Sequence, residues 1–167
     1  YALAKIGGLK MVEYYATSFG LQWFSVMPTN VYGPRDNFLN DNSHVLPALI
    51  RRFVEAQLRG DSTVTVWGSG RPLREFIHSS DLASAILFLL KNYNERHHVN
   101  IGSGEEVSIE TLAGMIKEAV GYQGEIVYDL SKPDGTFRKA LDSSRLYGMG
   151  WKPKINLKQG IRATISQ

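Results

Sequence analysis

Leu21-Gln22-Trp23-Phe24-Ser25-Val26-Met27 runs straight into Pro28-Thr29-Asn30-Val31-Tyr32-Gly33-Pro34-Arg35-Asp36-Asn37-Phe38. The first stretch is short and nearly all apolar, which suits a strand buried on both faces, as in a parallel sheet. The second is dense in Pro, Asn and Gly and predicts a loop. It follows the C-terminal end of the strand, where open α/β sheets place their ligands. Pro28 and Pro34 stiffen this loop, and Gly33 permits an unusual backbone angle. Two readings of it stand: an ordinary surface turn, or a ligand loop in which Asn30 offers its amide. Upstream, residues 1–19 read as a helix that stops at Gly20, a natural C′ residue. Helix followed by buried strand is half of an α/β unit, so the fold class is α/β.

That helix opens with Tyr1-Ala2-Leu3-Ala4-Lys5. Residues four apart on a helix lie one above the other. A free phenol has a pKa of about 10, and an ammonium held beside it favours the phenolate. Such a pair can exchange a proton with a substrate oxygen near neutral pH. The alternative is an exposed Tyr and a solvated Lys. Gly7 and Gly8 lie inside the same helix at a cost near 1 kcal/mol each relative to Ala, which suggests close approach by another helix or a ligand. The chain begins on Tyr1, with no Met and no capping residue before it, so it is read as the C-terminal part of a longer protein.

Downstream, Ser43 is expected to cap a helix from about His44 to Leu58, with Gly60 beyond its end. His44 falls in the first turn, where the helix dipole disfavours a charged imidazole and keeps it available as a base. Exposure to water is the other reading of His44, and a solvated face that of Arg51 and Arg52. Thr63–Trp67 alternates as a strand, Gly68-Ser69-Gly70 forms a tight turn, and residues 71–78 lead through a second strand. Ser79 or Ser80 is expected to cap a helix from Asp81 to Lys91. Residues 99–102 form a short strand and 103–106 a loop. Ser108 caps a helix to Val120, stopped at Gly121. Residues 125–129 form a strand. Residues 131–139 (SKPDGTFRK) form a loop rich in turn formers and cations, able to pair with a diphosphate or simply to sit in water. A short helix over 142–148, Trp151 packed behind it, and a last helix capped by Asn156 complete the chain.

The composition sets wide limits. With 43% hydrophobic and 21% charged residues, the 167-residue chain has the make-up of a globular domain with a substantial core. A net charge of +3 suits an anionic small ligand, and no Lys/Arg run points to nucleic acid. With no cysteine, the chain carries no disulfide, thiolate metal site or cysteine nucleophile. This fits a cytoplasmic protein. No apolar run reaches the length of a membrane span, and the four histidines lack zinc spacing, so no metal is expected.

Several segments together resemble the extended short-chain dehydrogenase/reductase family. Tyr1-x-x-x-Lys5 is similar to its active-site motif, and Pro28-Thr29-Asn30-Val31-Tyr32-Gly33-Pro34 to its nicotinamide-side loop. Arg74-Glu75-Phe76-Ile77-His78, followed by Asp81, is similar to its substrate-domain signature. PTNVYGPRDNF (28–38), NSHVLPALIRRF (42–53), VWGSG (66–70) and SKPDGTFRK (131–139) most resemble members acting on GDP-linked 4-keto sugars. The resemblance implies the C-terminal part of a Rossmann-type fold with a smaller mixed α/β substrate-binding domain. Residues 1–38 would belong to the NADP-binding domain, to which later segments could return, and 39–167 mainly to the substrate-binding domain. The family's Gly-rich dinucleotide fingerprint is not in this sequence, nor are the Ser and Cys that precede its Tyr.

The implied activity is NADPH-dependent epimerisation and reduction of GDP-4-keto-6-deoxy-D-mannose by a homodimer. Tyr1, Lys5 and His44 would be catalytic. Pro28, Thr29, Asn30 and Val31, with those three, would meet NADP(H). Arg52, Trp67, Arg74, Asp134 and Lys139 would bind the GDP-sugar. Arg51, Arg71 and His78 receive no role. Two alternatives remain: a related nucleotide-sugar 4-epimerase or dehydratase, and a non-catalytic nucleotide-sugar-binding module.

Overall fold

The computed structural model describes residues 1–39 and 43–166. The elements are α1 (Ala2–Ser18), β1 (Val26–Pro28), β2 (Asn30–Tyr32), α2 (Val45–Arg59), β3 (Thr63–Trp67), β4 (Leu73–His78) and α3 (Ser79–Asn92). They continue with β5 (Val99–Ile101), β6 (Glu106–Ser108), α4 (Ile109–Val120), β7 (Glu125–Asp129), β8 (Arg138–Lys139), α5 (Ser144–Gly148) and α6 (Leu157–Ile165). The pairs β1–β5, β2–β4 and β3–β7 are all parallel, as the α/β reading requires.

The strand expected over 21–27 is shorter and later, at Val26–Pro28. Its ladder partner supplies only Val99, Asn100 and Ile101, so residues 21–25 have no strand to pair with there. Leu21 N instead donates back to Ala16 O, closing the end of α1. The expected loop over 28–38 contains β2, which pairs with Phe76, Ile77 and His78. Strands β6 and β8 were not expected. With three and two residues, they exist only through β4, which both of them border.

β4 stands between two cores. Phe76 packs with Tyr32, Leu46, Phe53, Leu112 and Ile161. Ile77, next in sequence, packs with Leu89, Val99, Ile101, Leu146 and Trp151. Successive strand residues point to opposite faces, so one parallel ladder supplies both cores. β2 repeats the pattern, with Val31 against the second core and Tyr32 in the first. α6 seats closely on this ladder because Gly160 has no side chain: a Cβ there would collide with the Tyr32 hydroxyl.

Helix ends follow the sequence signals at most positions. Ser108 accepts from Thr111 N, and Asn156 forms a reciprocal capping box with Gln159. Gly60 and Gly121 take left-handed conformations just past α2 and α4. Two expected caps are corrected. The α2 cap is His44 rather than Ser43, and its side chain makes no cap bond. The α3 cap is His78 rather than Ser79 or Ser80: its Nδ1 accepts from Ser80 N at 3.2 Å. An imidazole nitrogen with a free lone pair satisfies a helix N-terminus as a carboxylate or hydroxyl would.

α1 has its apolar residues spread around the helix among Lys5, Lys10 and Glu13 rather than gathered on one face, and of its residues only Ala16 is buried. Gly7 and Gly8 have no atom of the described residues within reach of a Cβ, so the close approach expected of them is not met inside this chain.

Two outcomes follow for stability. Burial holds the His78 imidazole below its ordinary 6.5. As pH falls below that value, the unfolded chain takes a proton that the folded one resists, so stability drops. His78→Asn keeps a cap acceptor and removes the titration, so denaturant melts between pH 7 and pH 5 should show a flatter dependence. Gly160→Ala should destabilise by about 1–3 kcal/mol through overpacking. Adding Tyr32→Phe, which removes the colliding hydroxyl, should recover part of that loss in the same melts.

Candidate active site

Tyr1 forms the cap position of α1 and is 97% exposed. One turn later Lys5 Nζ lies 5.4 Å from the centre of the Tyr1 ring. The backbone bond from Lys5 N to Tyr1 O, 3.1 Å, fixes this approach. The spacing therefore does bring phenol and ammonium together on one helix face.

Residues 28–31 are held by β4 and β5. Thr29 N donates to Ile101 O at 3.0 Å. Thr29 Oγ1 and Asn30 Nδ2 both donate to the Glu75 carbonyl, at 3.0 and 2.7 Å. The Asn30 amide thus has a backbone partner in this state. Pro28 is exposed at the C-terminal end of β1, and Val31 turns into the second core.

His44 is exposed and extended, and its carbonyl receives Ala48 N at 3.0 Å. Among the described residues, no hydrogen bond or ion pair joins it to Tyr1 or Lys5. Asn42, in the segment NSHVLPALIRRF, lies outside the described residues.

The remaining candidates gather where the parallel pair β3–β7 ends. Trp67, the last residue of β3, is 57% exposed. The Arg52 guanidinium lies 4.8 Å from the centre of its ring, and Lys132 Nζ lies 5.6 Å from it. Arg52 is steadied by its bond to Thr65 O, 3.2 Å. A hollow of about 180 Å³ lined by Arg52, Arg59, Thr65 and Trp67 opens beside this group. An indole face with cations against it suits a planar base or sugar ring attached to phosphates.

The loop after β7 is folded onto this end. Asp134 takes Ser69 N at 2.8 Å and Ser69 Oγ at 2.6 Å. These two bonds, the hydroxyl first, hold its carboxyl below the usual carboxylate range. Arg74 Nη1 donates to Leu73 O and Thr136 O, both at 2.7 Å. Lys139 is exposed on β8 and paired in register with Arg74. Arg138 is spent on a two-bond pair with Glu106 at 2.6 and 2.8 Å.

The structure therefore brings Arg52 to Trp67, Arg74 to Lys139, and Asp134 to the Gly68-Ser69-Gly70 turn. Lys132 and Ser69 belong to the same cluster and were not singled out in the sequence. Their only signal was membership of a cationic turn and of a Gly-Ser-Gly turn. A second cavity, about 390 Å³ and lined by Lys10, Glu13, His97 and Arg145 among others, contains no candidate residue. Among the described residues, no group of three or more His, Asp or Glu side chains could hold a metal ion. None of the described helices is long and apolar enough to cross a membrane.

The chain is similar to known proteins. A sequence profile of the NAD dependent epimerase/dehydratase family matches residues 1–102. "Probable GDP-L-fucose synthase 1" from Oryza sativa subsp. japonica is 57% identical over 98% of the chain and 50% of its own length. A crystal structure of a GDP-6-OMe-4-keto-L-xylo-heptose reductase from C. jejuni superposes with a TM-score of 0.91 at 33% identity, over 98% of this chain and 58% of that one. A GDP-L-fucose synthetase from Naegleria fowleri bound to NADP gives a TM-score of 0.91 at 32% identity, over 99% and 54%. The chain spans about half the length of the curated relatives it matches. With 102 of its 167 residues matched, the chain belongs to the NAD dependent epimerase/dehydratase family.

Proposed function

We propose that the protein containing this chain is an NADPH-dependent epimerase/reductase that converts GDP-4-keto-6-deoxy-D-mannose to GDP-L-fucose. The observation that carries this reading is the 57% identity to a protein named as a GDP-L-fucose synthase, sustained over 98% of the chain. The Arg52–Trp67–Lys132 cluster supports it, since its chemistry suits a nucleoside diphosphate. We take the core around α3, β1 and β5 as the cofactor side, and the core around α2, β3, β7 and α4 as the sugar-nucleotide side. The reading includes a cytoplasmic homodimer.

The donor set at Tyr1 and Lys5 fits the nicotinamide end of NADP(H): a hydroxyl and an ammonium share one exposed helix face. Pro28, Thr29, Asn30 and Val31 would line it. When bound, NADPH supplies the hydride that reduces C4. Tyr1 gives its phenolic proton to the oxygen at C4, and Lys5 stabilises the phenolate left behind. The 4-keto group acidifies the protons at C3 and C5, and His44 serves as one member of the acid–base pair that exchanges them. Arg52, Arg74 and Lys139 answer the diphosphate, and Trp67 offers a face to a ring.

The test is turnover by the full-length protein supplied with GDP-4-keto-6-deoxy-D-mannose and NADPH. Stoichiometric NADPH consumption with GDP-L-fucose as product is expected. A 4-epimerase would consume none, and that outcome would sink the reading. Tyr1→Phe should lower the reductive kcat by about 100-fold or more while GDP binding stays intact in calorimetry. Trp67→Ala should weaken GDP binding by about fivefold to tenfold, in line with losing a cation–π and stacking surface. Ser69→Ala should raise the Asp134 carboxyl toward its ordinary 3.8, as NMR titration would report.

A further inference from the structure

β4 changes its neighbour in the middle. At Leu73 it has Ser108 of β6 on one edge and Arg138 of β8 on the other. The β8 ladder stops at Arg74–Lys139, and β2 takes over at Phe76–Asn30. Glu75 is the one residue between those ladders. It is 1% exposed, although glutamate is almost never fully buried without partners.

Both carboxylate oxygens of Glu75 and its carbonyl are used. Glu75 Oε1 accepts from Gly104 N at 2.8 Å, and Oε2 accepts from Leu141 N at 3.0 Å. The Glu75 carbonyl accepts from Thr29 Oγ1 and Asn30 Nδ2. Gly102 lets the chain come in over the carboxylate, where a Cβ would strike Glu75 Oε1. Glu75 thus holds residues 29 and 30 by its backbone and residues 104 and 141 by its side chain. Arg74 lies immediately before it and Lys139 two residues before Leu141.

We infer that Glu75 is a positioning residue that fixes the spacing between the nicotinamide-side segment 28–31 and the sugar-nucleotide-side segment 136–141. The inference rests on the proposed function for its kinetic meaning, but the physical tie does not. A buried carboxylate suits the task because two charge-assisted bonds to backbone amides are strong and directional. Glutamine can accept at only one oxygen, and its NH₂ group would face an amide N–H, so one of the two segments must let go. Aspartate keeps the charge but is one methylene too short to reach both amides.

The experiment uses the full-length protein with Glu75→Gln and Glu75→Asp, read by amide hydrogen exchange without ligand and by steady-state kinetics. Faster exchange is expected at Gly104 or Leu141 and also at the amides of residues 29–31 in the 28–31 segment, with β3 and β7 unchanged. The KM for the GDP-sugar should rise about tenfold and kcat should fall, in both variants. If one variant fails to fold, the other carries the same comparison. Faster exchange at 104 or 141 that never reaches 28–31, or wild-type kinetics in either folded variant, would overturn the proposal. If the wild-type protein does not turn over the GDP-sugar, the proposed function fails, and spread of the exchange effect to 28–31 alone decides whether Glu75 ties the two segments.

Discussion

A charged group removed from water at the centre of a sheet has to be matched on every side, and β4 is built around that requirement. Leaving a buried carboxyl group unmatched costs several kcal/mol, so the backbone amides of Gly104 and Leu141 are held where they meet Glu75. One step along the strand, Phe76 and Ile77 face two different cores. Six residues beyond Glu75, in the first turn of α3, Asp81 takes the backbone amides of Lys154 and Ile155, at 3.1 and 2.9 Å. The segment from 74 to 81 therefore gathers four distant parts of the chain by bonds that each join a side chain to a backbone group. The layers on either side are ordinary amphipathic packing by comparison.

This explains which parts of the fold could be read from the sequence. The α/β class was legible because helix signals and short apolar strands alternate. Ser108, Asn156, Gly60 and Gly121 act through neighbours within four residues, so local spacing was enough to place them. β6 and β8 were not legible because strands of two or three residues have no period to detect, and long-range partners alone create them. His78 was passed over as a cap because imidazole is not a usual capping group. It serves here because burial favours the neutral ring, whose Nδ1 lone pair is then free for Ser80 N.

The site was legible in a different sense. Tyr1 and Lys5 meet as their spacing required, and Trp67 and Arg52 meet across two elements, which only the family resemblance could suggest. The short motifs turn out to do much structural work. In PTNVYGP, Thr29 and Asn30 grip Glu75, and Tyr32 is a core residue whose buried hydroxyl is pushed toward higher pKa. In REFIH, Glu75 and His78 hold backbone amides in place. No local signal marked Glu75 as buried, since a glutamate beside an arginine in a strand reads as surface.

The ties at this centre join residues far apart in the chain. Thr29 and Asn30 reach Glu75 across 46 and 45 positions, Glu75 reaches Leu141 across 66, and Asp81 reaches Ile155 across 74. Loops of this size must close before any of these bonds contributes, which slows folding relative to proteins built on local contacts. The segment 28–31 emerges from the ribosome well before the glutamate that fixes it, and that glutamate well before Leu141. Helices α2 and α4 are held largely by local bonds, whereas segments 28–31 and 136–141 can acquire their final spacing only once Glu75 and Leu141 have met.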